Sequence, residues 1–226
     1  MRTLNLIALL FAFTLLNAQN NVSIPENSST NGEENVTIGY KSFNTVSNGS
    51  ANIGVGAYTL ENNRAGYNNV AVGSKSLRSN ISGNYNTANG YASLSKNTTG
   101  QYNSALGAYS LERNISGNCN AVLGVEAMQY NTSGYYNTSV GFNSMRNSTG
   151  SISYNNAFGA YSLKITTGSK NNSFGYESLH GLTSGYENVA FGHAAGQTLT
   201  TGYRNILIGS YIENITPSSN YNIILG

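Results

Sequence analysis

Residues 69–85 read Asn69-Val70-Ala71-Val72-Gly73-Ser74-Lys75-Ser76-Leu77-Arg78-Ser79-Asn80-Ile81-Ser82-Gly83-Asn84-Tyr85, and the next seventeen residues, Asn86 to Tyr102, follow the same plan. A fixed period outranks any local signal, because it announces a stack of like units. Working outward, the pattern Asn-x-x-x-Gly recurs. Its asparagines are Asn52, Asn69, Asn86, Asn103, Asn120, Asn137, Asn155, Asn171 and Asn188. Its glycines, four residues on, are Gly56, Gly73, Gly90, Gly107, Gly124, Gly141, Gly159, Gly175 and Gly192. It is also present from Asn35 to Gly39, from Asn205 to Gly209 and from Asn222 to Gly226. The steps are 17 residues, except one of 18 and a compensating 16 around Gly159. The consensus is N-x-A-φ-G-x-x-S-L-x-x-N-x-[ST]-G-x-Y, with φ apolar.

Each part has a physical meaning. N-x-A-φ-G alternates small residues (Ala71, Ala88, Ala105, Ala157, Ala190) with large ones (Val72, Leu106, Leu123, Phe158, Phe191). Period two predicts a strand of about four residues with two unlike faces. The anchor Gly should end it, with φ > 0 or with other backbone close by. A second apolar column follows (Phe43, Leu60, Leu77, Leu94, Leu111, Met128, Met145, Leu163, Leu179), preceded by serines such as Ser76 and Ser93. It suits a second short strand or a single helical turn. N-x-[ST]-G is turn chemistry, with Asn bonding local backbone and Gly supplying the left-handed residue.

One circuit cannot bury its apolar residues alone, whereas stacked circuits line a continuous core with identical columns. The expected fold is therefore all-β: a parallel β-solenoid or β-roll of about eleven 17-residue circuits, roughly 50 Å long at the ~4.8 Å strand spacing. Stacking also sets the anchor asparagines above one another as an amide ladder.

Composition narrows the function classes. Charged residues are 9% of the chain, the net charge is +2, and all nine acidic residues are Glu. A scattered +2 lacks the basic stripe that nucleic acid requires. Calcium-binding solenoid repeats need Asp. His180, His193 and Cys119 show no zinc-ligand spacing. Glu126 and Glu177 share a column three circuits apart, about 14 Å at strand spacing, which is too far for a glycosidase pair. Glu61 and Glu112 have the same relation. His193 beside Glu177 reads as a surface hydrogen bond. No catalytic residue, metal or cofactor is expected. Cys119 cannot form an internal disulfide and stands where neighbouring repeats carry Tyr, as a small apolar substitute.

The termini differ from the repeats. Arg2 followed by the apolar run Leu4 to Leu16 and then Leu16-Asn17-Ala18 reads as a signal peptide over 1–18. The run is too short for a membrane span. Residues 19–34, with Pro25, read as a flexible polar leader, and 35–226 as the repeat domain. In the last circuits the small column becomes large (Leu207, Ile224) and the second apolar column is lost (Gly196, Glu213), so the C-terminus reads as uncapped or truncated. The Asn-Ala-Gln-Asn junction resembles those of exported Bacteroidetes proteins.

Asn69 to Gly73 and Asn188 to Gly192 resemble the head repeats of YadA-type trimeric autotransporter adhesins, and the longer unit is similar to repeats in bacterial surface and phage tail-fibre proteins. That resemblance implies a left-handed parallel β-roll, a homotrimer and adhesion. This chain's circuit is longer than those head repeats, and its sequence holds no heptad stalk or anchor barrel. The expectation is a non-enzymatic, secreted or cell-surface rod, structural or adhesive, touching glycan or protein surfaces. A candidate aromatic ladder is Tyr85, Tyr102, Tyr136 and Tyr154, with Tyr221 further along the same column. Other readings are an ice-binding solenoid using the hydroxyl column Ser82, Thr99, Ser116, Ser133, Thr167, Ser184 and Thr201, a phage-like fibre shaft, and a carbohydrate-active solenoid enzyme. The sequons at Asn80 and Asn114 follow from the turn consensus rather than from glycosylation.

Overall fold

The computed structural model describes residues 34–43, 48–212 and 215–226. The expected signal segment, the leader up to residue 33, and Glu213 lie outside the described residues.

Twelve three-residue strands follow one another: β1 (Val36–Ile38), β2 (Ile53–Val55), β3 (Val70–Val72), β4 (Thr87–Asn89), β5 (Ser104–Leu106), β6 (Ala121–Leu123), β7 (Thr138–Val140), β8 (Asn156–Phe158), β9 (Asn172–Phe174), β10 (Val189–Phe191), β11 (Ile206–Ile208) and β12 (Ile223–Leu225). They form one parallel sheet in sequence order. Like residues pair across circuits, Ala71 with Ala88 and Leu106 with Leu123. The strands are one residue shorter than expected, and each circuit has only one.

The anchor glycines end the strands, and both reasons foreseen for them hold. Gly56, Gly90 and Gly141 take φ of 131°, 136° and 130°. A Cβ on Gly90 would lie 2.5 Å from Gly107 O, and one on Gly141 would lie 2.5 Å from Gly159 O. Their N–H groups continue the ladder, Gly56 to Ile38 O (2.7 Å), Gly90 to Val72 O (2.8 Å) and Gly141 to Leu123 O (2.8 Å).

The sheet turns its small residues inward. Ala71, Ala88, Ala105, Ala157 and Ala190 are buried, while the larger neighbours Leu106, Leu123 and Phe191 are 47%, 45% and 59% exposed. Of the two unlike faces expected for the strand, the one with the φ column faces outward. Space explains it. The interior opposite each strand is filled by Leu60, Leu77, Leu94, Leu111, Met128, Met145, Leu163 and Leu179, all fully buried. A methyl from the strand and one long side chain from the far wall fill the circuit.

The far wall is neither strand nor helix. Lys75 and Leu77 take φ of 63° and 46° on either side of buried Ser76, and the same two positions are left-handed in circuit after circuit. A non-glycine residue there costs about 1–2 kcal/mol. The backbone gains bonds in return. Ser76 N–H donates to Gly73 O (3.1 Å) and Asn80 N–H to Leu77 O (3.2 Å), closing consecutive tight turns. Leu77 N–H donates up the stack to Ser93 O (3.0 Å) and Lys75 N–H down it to Ala57 O (2.8 Å).

Volumes across this thin core vary reciprocally. Gly54 replaces Ala where Thr59 replaces Ser, and a Cβ on Gly54 would come within 3.0 Å of Thr59 Oγ1. Val122 faces a circuit with Ala127 in the Ser position, both buried. Gly196 does not mark a lost column: Leu207 reaches over from the strand, and a Cβ at residue 196 would be 2.5 Å from Leu207 Cδ1. Ile212 and Ile215 complete the core nearby. Close packing makes such swaps the tolerated ones.

The amide ladder is present and does more than run along the stack. Asn103 Nδ2 donates to Asn86 Oδ1 (3.1 Å) and to the Gly117 carbonyl in its own circuit (2.8 Å), while its Oδ1 accepts from the Asn120 backbone N–H (3.1 Å) and Nδ2 (3.0 Å). Each amide thus closes its own circuit and bonds the next. The turn asparagines build a second buried ladder, with Asn97 Nδ2 donating to Asn80 Oδ1 (2.8 Å) and Gly100 O (3.0 Å). Asn80 and Asn114 are buried members of it, so their amides are not open to glycosylation in the folded rod. Gly150 apart, the turn glycines are not the left-handed residues. A Cβ on Gly100 would meet Gly117 O at 2.5 Å, so close approach demands glycine, and the positive φ falls on Tyr102 instead (56°).

Candidate functional site

Three outward features run the length of the rod. The first is the expected tyrosine column, placed one residue before each anchor Asn. Tyr85 and Tyr102 stack at 5.0 Å with planes 4° apart, and Tyr136 and Tyr154 at 5.4 Å and 10°. Their faces are spent on one another, so the column shows edges and hydroxyls outward rather than flat sugar platforms. Half-buried Cys119 interrupts it between Tyr102 and Tyr136. The Cys119 sulfur beside it is the main cause holding the Tyr136 hydroxyl above its usual 10.0. Further along, the column turns ionic. Glu187 accepts from Arg204 Nε (2.7 Å) and Lys170 Nζ (3.2 Å), and Arg204 Nη1 donates to Tyr221 (2.9 Å). Those hydrogen bonds, Arg204's first, hold the Glu187 carboxyl below its usual 4.5.

The second feature escaped the sequence reading. Past the anchor Gly, aromatic residues fall at one or the other of two adjacent positions, so neither position alone shows a column. In space they join: Phe142 to Tyr161 (5.5 Å), Tyr161 to Tyr176 (6.0 Å), Tyr176 to His193 (5.2 Å) and His193 to Tyr211 (4.6 Å). The first three are edge-to-face and the last is tilted, and aromatic pairs of this kind add about 0.5–1.5 kcal/mol each. His193 is thus an aromatic rung, and Glu177 takes its hydrogen bond from Gln197 Nε2 (3.1 Å).

The third feature is the outer face of the sheet. Its two outward positions per strand hold Val, Ile, Leu, Phe, Ala, Thr, Ser or Asn, and none of the twelve strands contains a charged residue. Along β4 to β7 small residues (Thr87, Ser104, Ala121, Thr138) leave an open groove of about 360 Å³ beside Leu106 and Leu123. Along β8 to β10 a ridge replaces it: Phe158 stacks on Phe174 at 5.0 Å, and Phe174 lies 5.9 Å from Phe191.

The repeat anchors stand apart from these features. Asn52, Asn69, Asn137 and Asn188 are buried, and Gly56, Gly90 and Gly141 are half-buried and present backbone alone. They hold the circuits together and offer no side chain to a ligand.

Several other polar groups are tied within the stack. Glu61 pairs with Arg78 and Glu126 with Arg146, while Glu112 accepts from Gln129 (2.8 Å). In the hydroxyl column Thr167 Oγ1 donates to Thr183 O (3.0 Å), and Ser133 lies 3.2 Å from Ser151 Oγ. The neighbouring Thr98 and Thr183 also donate to carbonyls one circuit on (2.9 and 3.0 Å). Among the described residues no three His, Cys or Glu side chains gather where they could hold a metal ion. No described helix is long and apolar enough to cross a membrane.

One sheet, one strand per circuit and identical columns throughout define the chain as a parallel β-solenoid of about eleven turns. No protein-family model, curated protein or solved structure matches it.

Proposed function

We propose that the protein is an exported structural or adhesive rod, whose flanks make many weak contacts with glycan or protein surfaces. One observation carries this: the stack repeats exposed tyrosine edges at circuit spacing along the rod, Tyr85, Tyr102, Tyr136 and Tyr154 being 45–57% exposed. Contacts too weak to hold singly become strong when a rigid scaffold presents them together. The likeness of the strand motif to adhesin head repeats supports the same reading, as does the signal-like segment 1–18. Carboxylates paired with Arg78, Arg146 and Arg204 within the stack weigh against hydrolysis.

The test is retention of purified protein on glycan arrays and on bacterial and animal cells. Wild type should be retained on at least one surface, and the variant Tyr85→Ser/Tyr102→Ser/Tyr136→Ser/Tyr154→Ser should lose most of that signal at unchanged circular dichroism. Retention on none of them, or equal retention of the variant, would sink the adhesive reading.

A further inference from the structure

We infer that a shallow hollow on the flank of the rod binds an acidic sugar, with Lys96 and Arg113 holding its acid group. The glycan class rests on the adhesive reading, but the site shares no residue with the tyrosine column. The hollow measures about 530 Å³ and runs from Ser79 to Thr132. That is about 14 Å over four circuits at strand spacing, and the volume lies in the range of small-molecule sites.

Charge distinguishes the place. Lys96 N–H donates to Glu112 O (2.9 Å) and Arg113 N–H to Gln129 O (3.0 Å), so the register sets Lys96 and Arg113 in one column on neighbouring circuits. Two like charges so placed repel each other. Elsewhere the stack sets opposite signs side by side, Glu61 with Arg78, and Glu187 between Lys170 and Arg204. Lys96 and Arg113 pair with no carboxylate among the described residues, and both side chains are exposed. Arg113 is also held in place: its guanidinium carbon lies over the Tyr130 ring, 4.5 Å from the centre. A guanidinium resting on a ring keeps N–H groups at its edge for an acid.

The rest of the wall suits a sugar ring better than a bare anion. Ile115, 49% exposed, gives an apolar patch between Thr98 and Thr132 for the C–H face of a ring. Glu112 accepts from Gln129 Nε2 through Oε2 (2.8 Å), which leaves Oε1 to accept a sugar hydroxyl. The same carboxylate repels a second negative charge. A densely charged polyphosphate therefore fits poorly, and an acid group on a hydroxylated ring fits well. Carboxylated and sulfated sugars share that chemistry.

Titration calorimetry of the purified protein at low salt tests it, with an oligogalacturonate, a sulfated oligosaccharide, a neutral oligosaccharide and an inorganic polyphosphate of similar length. At least one acidic sugar should bind, the neutral one should not, and whichever acidic sugar binds names the acid. Lys96→Gln and Arg113→Gln should each weaken that binding about tenfold or more at unchanged circular dichroism. Lys164→Gln, which removes a cation outside the hollow, should bind as wild type does. The assignment would be overturned by no binding of either acidic sugar, by equal binding of the neutral one, or by tighter binding of polyphosphate. An equal loss in Lys164→Gln, or full affinity in both hollow variants, would overturn it too. Free oligomers are titrated in solution, so failure of the tyrosine variant to lose cell retention leaves this result standing, and the two readings fail separately.

Discussion

Gly107 holds φ at +133°, and a methyl built on it would lie 2.5 Å from the Gly124 carbonyl oxygen. Strain and collision with backbone both oppose a side chain. Gly107→Ala should cost about 2–4 kcal/mol, read as a fall in melting temperature of about 2–4 °C per kcal/mol. Asn103→Ala should cost as much for another reason. It strands the Gly117 carbonyl and the Asn120 N–H inside the rod, and each orphaned buried group costs about 1–3 kcal/mol. The anchor glycines and asparagines were legible in the sequence because one residue type alone serves each place. The left-handed residues were not: positions 58, 75, 109, 126 and 177 carry Tyr, Lys, Tyr, Glu and Glu, yet all share φ of 55–63°. Hydrogen bonds to the adjacent circuits impose that conformation, and no local propensity announces it.

The strand and its facing turn form a two-part lock, and its parts were legible before its orientation was. Alternation told that the faces differ, not which one points inward. Large residues are ordinarily the buried ones, and here they are outside because Leu94 and its equivalents already occupy the interior. The swap at Leu207 and Gly196 makes the lock testable. Leu207→Ala should open a cavity and cost about 2–4 kcal/mol. Gly196→Leu alone should clash with Leu207, while the double variant restores the plan of the other circuits and should recover most of both losses. Additive losses in the double-mutant cycle would show that the two sites do not share a volume. The circuit of 18 residues is where the plan loosens. Asn143 Oδ1 and Ser148 Oγ are buried there without a partner, Gly150 takes φ 79°, and Thr149 to Ser151 are exposed. Amide exchange and limited proteolysis should find their fastest sites there.

At the scale of the whole rod, few groups respond to pH. His180 is held below its usual 6.5, by burial first and then by Lys164, with Glu177 pulling the other way. Its folded form resists protonation, so stability is full above about pH 6.5 and falls as acid charges the unfolded chain. Glu187 is likewise depressed, and its contribution is lost further down, as pH falls through and below 4.5. Melting temperature should be level above pH 7 and decline in two steps below it, and His180→Gln should erase the upper step.

The register described above, each strand bonded only to its two neighbours, also fixes how the rod answers a pull. Drawn by its ends along the axis, the end circuit carries the load on a handful of hydrogen bonds, and it peels before those behind it are strained. Each peeled circuit frees 17 residues, about 60 Å of extended chain in exchange for ~5 Å of rod. Single-molecule stretching should therefore show a long train of small, nearly equal steps at low force. A protein built this way would yield under tension by lengthening, not by snapping, and would rewind from its surviving circuits when the load is removed.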